Sequence, residues 1–157
     1  VSATGYGLYF LLSTVGYLGG TLLANRYSQR VGIDRMVRIG TGLAVLTTAI
    51  VVILMFAGIW HPLAVFIPIT VMGVANGMAL PNASAGAISV YPDLAGAASG
   101  LTSFIQLGIS AVFAQVSGSL QNGTPHPLAL YMFGAAILAW VSFEIFKRAE
   151  AAETLHS

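Results

Sequence analysis

Ser99, Ser103, Gln106, Ser110 and Ser117 recur along an uncharged stretch of the sequence. At 100° per residue they fall within an arc of about 60° on one side of a helix. Hydroxyls and an amide in that pattern can exchange hydrogen bonds with a bound molecule, but they cannot attack or protonate one unaided. A serine nucleophile needs a histidine or lysine base in reach, and His61, His126 and His156 all fall in turns or in the tail. The chain has no cysteine, no His-Glu-x-x-His and no carboxylate–histidine cluster. No catalytic, metal or cofactor site is therefore expected, and the chain reads as a non-enzyme.

What remains is recognition. Tyr9, Ser13 and Tyr17 share one helical face, and Asn76 and Asn82 are amides inside an otherwise apolar stretch. An amide at mid-membrane is costly in lipid, so Asn76 is expected to face the protein or a wet cavity. A serine can satisfy itself on the carbonyl four residues back, whereas a glutamine amide reaches too far and needs an external partner. Gln106 is thus the first choice for a substrate hydrogen bond, with Ser99, Ser103 and Ser110 beside it.

The elements that carry these residues are set by composition. Six Lys or Arg and five Asp or Glu in 157 residues, with 57% hydrophobic, is far below the roughly one-quarter charged content of a soluble domain. Charges are absent from 1 to 25, 39 to 92 and 94 to 143, and each run must be divided into spans of about 20 residues to cross the bilayer. Without the alternating pattern of a barrel, this predicts an all-α integral membrane protein with five transmembrane helices, near 6–24, 39–59, 63–89, 95–120 and 128–146. The lipid bilayer is the first partner implied. The net charge of +1 carries no argument for nucleic acid.

In chain order, the first span has a face of Tyr6, Tyr9, Ser13, Gly16, Tyr17 and Gly20. Gly16-x-x-x-Gly20 permits close helix approach, and the face reads equally as a packing seam or a substrate-facing wall. The loop from Asn25 to Arg38 holds Arg26, Arg30, Arg35 and Arg38 with Gly32 and Asp34. The second span is apolar nearly all round and is expected to face lipid. Pro81 cannot donate to the Gly77 carbonyl, so the third span is expected to bend there, beside Asn82. A turn is predicted from Val90 to Asp93, with the Asp93 carboxylate capping the fourth helix. Residues 147–157 read as a frayed cytoplasmic tail. Valine at position 1, with no basic segment or cleavage site, reads as a chain that starts within a longer protein.

Two stretches carry a resemblance. Pro81-Asn82-Ala83-x-Ala85-x-Ala87, Tyr91-Pro92-x-x-Ala95-Gly96-x-Ala98-Ser99-x-Leu101 and the following Gln106 resemble the tenth-to-eleventh helix region of drug:proton antiporters of the bicyclomycin and chloramphenicol resistance (Bcr/CflA) type, a branch of the major facilitator superfamily. The Asn25–Arg38 loop resembles the loop between the second and third helices of a facilitator half, Gly-x-x-x-Asp-Arg-x-Gly-Arg-Arg. It departs from that form with Asn25 in the aspartate position and glycines at 20 and 32. The resemblance labels the five spans as helices eight to twelve, the C-terminal part of a twelve-helix transporter in a bacterial-type inner membrane. It implies antibiotic efflux of a drug-like small molecule by alternating access, protons as the coupling ion, and an N-terminal half of the same transporter as partner. Spans one, three and four have polar faces and two and five do not, which matches the cavity-bordering and peripheral helices of a facilitator half. A small oligomeric membrane scaffold or channel subunit is the alternative, and an intramembrane enzyme ranks behind both.

With five spans, the Asn25–Arg38 loop and the C-terminus share one side, which holds all six basic residues; positive charge is retained inside. The N-terminus of this chain is therefore expected outside and the C-terminus in the cytoplasm. A cysteine at Asn122 should react with a membrane-impermeant thiol reagent added to intact cells and one at Gln29 should not; the opposite pattern reverses the topology.

Overall fold

The computed structural model describes residues 3–59, 61–89, 92–120, 124 and 126–154, with the backbone alone at 3–6, 8–10, 62, 65, 153 and 154. Among them lie five long helices and no strand: α1 (Ala3–Val31), α2 (Ile33–Phe56), α3 (Pro62–Ser89), α4 (Ala95–Ser119) and α5 (His126–Thr154), with a 3-10 turn at Pro92–Leu94 before α4. Ile33–Phe56, Pro92–Ser119 and His126–Ala152 are each long and apolar enough to cross a membrane.

Two glycines set the breaks around α2. Gly32 has φ 92° and Gly58 has φ 72°, a left-handed region that costs a side-chain-bearing residue about 1 kcal/mol or more. At Gly58 the Ile59 amide donates to the Leu54 carbonyl and the Gly58 amide to Met55, both at 3.1 Å, which is a Schellman stop. Next in the chain, His61 Nδ1 accepts from the Leu63 amide at 3.3 Å and so serves the free start of α3.

α3 is the central helix, with α1 packed along one side and α2 along another, while α5 packs on α2. Glycines make the α1–α3 seam. A Cβ on Gly16 would strike the Thr70 carbonyl, one on Gly20 the Val74 carbonyl, one on Gly73 the Ser13 carbonyl and one on Gly77 the Tyr17 carbonyl. Two small-x-x-x-small stretches, Gly16 to Gly20 and Gly73 to Gly77, thus face each other. Of the two readings open for the Gly16–Gly20 face, these two glycines take the seam. On the other side of α3, a Cβ on Gly40 would lie 2.7 Å from the Ala75 carbonyl oxygen. Ala75 is fully buried, in a cluster with Ala44 of α2 and Ala136 of α5. Small residues let backbones approach where lipid gives apolar side chains no reason to leave it.

Four expectations change here. α2 does not simply face lipid: Met36, Val37, Gly40, Ala44, Thr47 and Thr48 are buried against its neighbours. Lipid and a packed helix are equally apolar, so hydropathy gave no contrast between the two faces. The Asn25–Arg38 segment is not an extended loop, because α1 continues to Val31 and α2 starts at Ile33. Its arginines and glutamine are good helix formers, and only Gly32 interrupts them. The tail does not fray at 147, since α5 continues to Thr154. There Lys147 pairs with Asp34 at 2.7 Å and with Glu150, and Arg38 grips Glu144 with two bonds of 2.6 and 3.1 Å. Finally, Asp93 lies in the 3-10 turn, and Leu94 takes the N-cap position of α4 with no side-chain cap bond. Val90 and Tyr91 of the expected turn lie outside the described residues, as does Asn122. α3 runs as a helix through both Pro68 and Pro81.

The seam makes a direct prediction. Gly77→Leu should cost about 1–3 kcal/mol or more of stability by forcing α1 and α3 apart, while Gly108→Leu on α4, where a side chain meets open space, should cost little. Thermal unfolding of the purified protein in detergent checks this, and equal shifts for the two variants would refute the seam.

Candidate functional site

Beside the glycine contacts of α1 and α3 lies a recess of about 350 Å³ lined by Ser13, Thr14, Tyr17, Met72, Gly73 and Asn76. Three residues nominated from sequence, Ser13, Tyr17 and Asn76, thus converge on one space. Asn76 follows Gly73 by three residues, and both border the recess. No hydrogen bond holds that amide among the described residues. Tyr17 is 39% exposed, so its ring stands at the rim. Tyr9 belongs to α1, but its side chain lies outside the described residues.

α4 carries the second group. It has no buried residue, and Ser99, Ser103, Gln106 and Ser110 are all exposed. Thr102 bonds back to the Ala98 carbonyl at 2.7 Å, whereas none of those four has a side-chain hydrogen bond among the described residues. The stripe therefore finds no hydrogen-bond partner among the described residues. It does not meet the α1–α3 recess here.

Asn82 is placed differently. It is 5% exposed, its amide donates to the Met78 carbonyl at 2.8 Å, and its carbonyl oxygen accepts from the Ser28 hydroxyl at 2.6 Å. Every polar atom needed for a helix-to-helix bond is engaged, and none points into the recess. In the basic segment, Asn25, Arg26, Arg30 and Arg35 are exposed and Asp34 is engaged by Lys147. The breaks and ion pairs place that segment beside the end of α5.

Sequence reasoning overlooked Met72 and Tyr131. Met72 lies one turn before Asn76 on the same face, a spacing that was readable. Tyr131 donates to the Phe113 carbonyl at 2.9 Å and its ring lies 5.4 Å from that of Phe113. This α4–α5 contact had no sequence signal. No group of three or more His, Asp or Glu capable of holding a metal occurs among the described residues.

No protein-family model matches the chain, and no solved structure matches it. The bicyclomycin resistance protein homolog of Haemophilus influenzae is 26% identical over 135 residues, covering 85% of this chain and 33% of that protein. The chain thus spans about a third of the length of this curated relative. Together with the apolar helices, this makes the chain a helical membrane protein with a distant relation to a drug-resistance protein.

The Ser28–Asn82 bond should behave as a structural tie between α1 and α3. Ser28→Ala and Asn82→Ala combined in a double-mutant cycle should show a coupling of about 0.5–2 kcal/mol in unfolding of the purified protein. A coupling of zero would release Asn82 for another role.

Proposed function

We propose that these helices belong to a drug or small-molecule efflux transporter of the major facilitator type, in which they correspond to helices eight to twelve. The observation that carries this reading is the exposed stripe of Ser99, Ser103, Gln106 and Ser110 on α4, a helix apolar enough to span the membrane, with no hydrogen-bonding partner for these groups among the described residues. Hydroxyls and an amide gain little from acyl chains, so the stripe needs either the opposing half of the transporter or a hydrated pathway. The relative's name, a bicyclomycin resistance protein homolog three times as long as the matched portion, supports drug efflux by a larger protein.

In this reading two pseudo-symmetric halves rock about a site near the bilayer midplane. Asn76 and Tyr17 contribute from the α1–α3 recess, and Gln106 contributes from α4. Proton antiport follows the resemblance; an acid to carry the proton is expected in the N-terminal half, because the uncharged runs of this chain offer none. The basic end, held together by Arg38–Glu144 and Lys147–Asp34, faces the cytoplasm of a bacterial-type cell, with the N-terminus of this chain outside.

Gln106 provides the test. In the full-length protein, Gln106→Leu should change the profile of compounds to which cells become resistant, with expression and folding unchanged, and loss of one buried hydrogen bond should lower resistance to an affected compound by roughly tenfold. Ser103→Ala should do much less. Unchanged resistance to every exported compound would remove Gln106 from the pathway.

A further inference from the structure

α2, α3 and α5 each give one methionine, Met55, Met72 and Met132, to the wall of a pocket of about 100 Å³. These are three of the chain's five methionines, and their setting differs from that of the other two. Met36 and Met78 are buried in a packed cluster with Ala24, whereas Met55, Met72 and Met132 are partly buried and border a space. Among the described residues of the wall, Thr47 and Thr48 bring the only hydroxyls. Both are spent on carbonyls of α2, at 2.7 and 2.8 Å, and the described wall exposes no polar atom to the space.

This lining selects its guest. No Asp, Glu, Lys, Arg or His occurs among the described residues of the wall, so a charged molecule would lose its hydration without compensation and a water would find no partner. Sites for drug-sized molecules begin at about 300 Å³, which excludes them here. Apolar cavities of roughly 150 Å³ admit benzene, and unbranched thioether side chains can yield the remaining space. Sulfur also lies favourably about 5 Å from an aromatic ring, at its positive edge. An alkyl chain offers no such contact.

We propose that this pocket is a second ligand site, for an uncharged single-ring aromatic molecule, and that its occupancy is felt in the α1–α3 recess. The link is a shared wall: Ile69 and Met72 line both the pocket and the recess. A ring seated against Met72 restricts a side chain with three rotatable bonds, and so restricts the positions it takes on the recess side. Coupling of this kind is reciprocal, and a molecule in the recess alters the affinity for the ring by the same factor.

The full-length protein in lipid nanodiscs, its methionine methyl groups labelled with carbon-13, is titrated with benzene and followed by NMR, with signals assigned by single Met→Leu substitutions. The signals of Met55, Met72 and Met132 should shift together and saturably, and those of Met36 and Met78 should stay. Val51→Phe, which puts a ring into the pocket from α2, should weaken benzene binding by roughly tenfold or more. If it does not fold, Leu128→Trp on the same wall, at a position 39% exposed, takes its place. In a full-length protein otherwise free of cysteine, Ser13→Cys in the recess should react with a water-soluble methanethiosulfonate reagent at a rate changed by about fivefold at saturating benzene. A drift of all five signals that never saturates overturns the site, because benzene has then only dissolved in the bilayer. So does binding that neither ring substitution weakens, or contact of lipid acyl methyl groups with Met55 that benzene does not displace. Saturable binding with an unchanged rate at Ser13→Cys overturns the coupling to the recess. None of these readouts depends on transport, so the site stands or falls apart from the efflux reading.

Discussion

The packing of α1 on α3 through bare backbone is the constraint on which the remaining arrangement depends. In water, two apolar helices associate because both leave solvent; in a bilayer each already sits in an apolar medium, and association must come from close van der Waals contact and a few hydrogen bonds. Gly16, Gly20, Gly73 and Gly77 supply the closeness, and Ser28 with Asn82 supplies the bond. α3, fixed in this way, then presents Ala75 and Ala79 to Gly40 of α2. The recess at Ser13, Tyr17 and Asn76 lies alongside that seam, with Gly73 common to both.

Much of the fold was legible because charge is so scarce. The uncharged runs announced membrane helices, and prolines and glycines between them announced the breaks. The side that each helix turns to its neighbours was legible only where polarity or glycine spacing marked it. Gly16 and Gly20 on α1 marked a close approach, and Asn76 pointed to the interior space it borders. α2 carried neither mark strongly. Thr47 and Thr48 are buried yet bond to the carbonyls of Leu43 and Ala44, so hydroxyls that looked like mid-span polarity behave as small packing groups. Asp93 misled for another reason: Pro92 opens a 3-10 turn that shifts the helix start beyond it, and the capping position passes to Leu94.

The site was legible in part. Ser13, Tyr17 and Asn76 come together although the last two are 59 positions apart in the chain, because the facing glycine pairs align α1 with α3. Asn82, equally prominent in the sequence, is consumed by Ser28, a partner 54 positions away that no local pattern could indicate. Tyr131 and Met72 were passed over because an aromatic or thioether in an apolar span resembles ordinary core. α4 retains the polar stripe read from its periodicity, and its lack of buried residues explains why nothing among the described residues answers that stripe.

The single-residue break at Gly32 has a consequence of another kind. A protease must draw an extended stretch of several residues into its cleft, and such stretches usually come from exposed loop tips. Between α1 and α2 only Gly32 leaves the helical path, and the nearby Asp34 and Arg38 are tied to α5. The arginine-rich end, which its composition would mark as the natural target for trypsin, is therefore folded against digestion, and a nick there would report unwinding of the helices themselves.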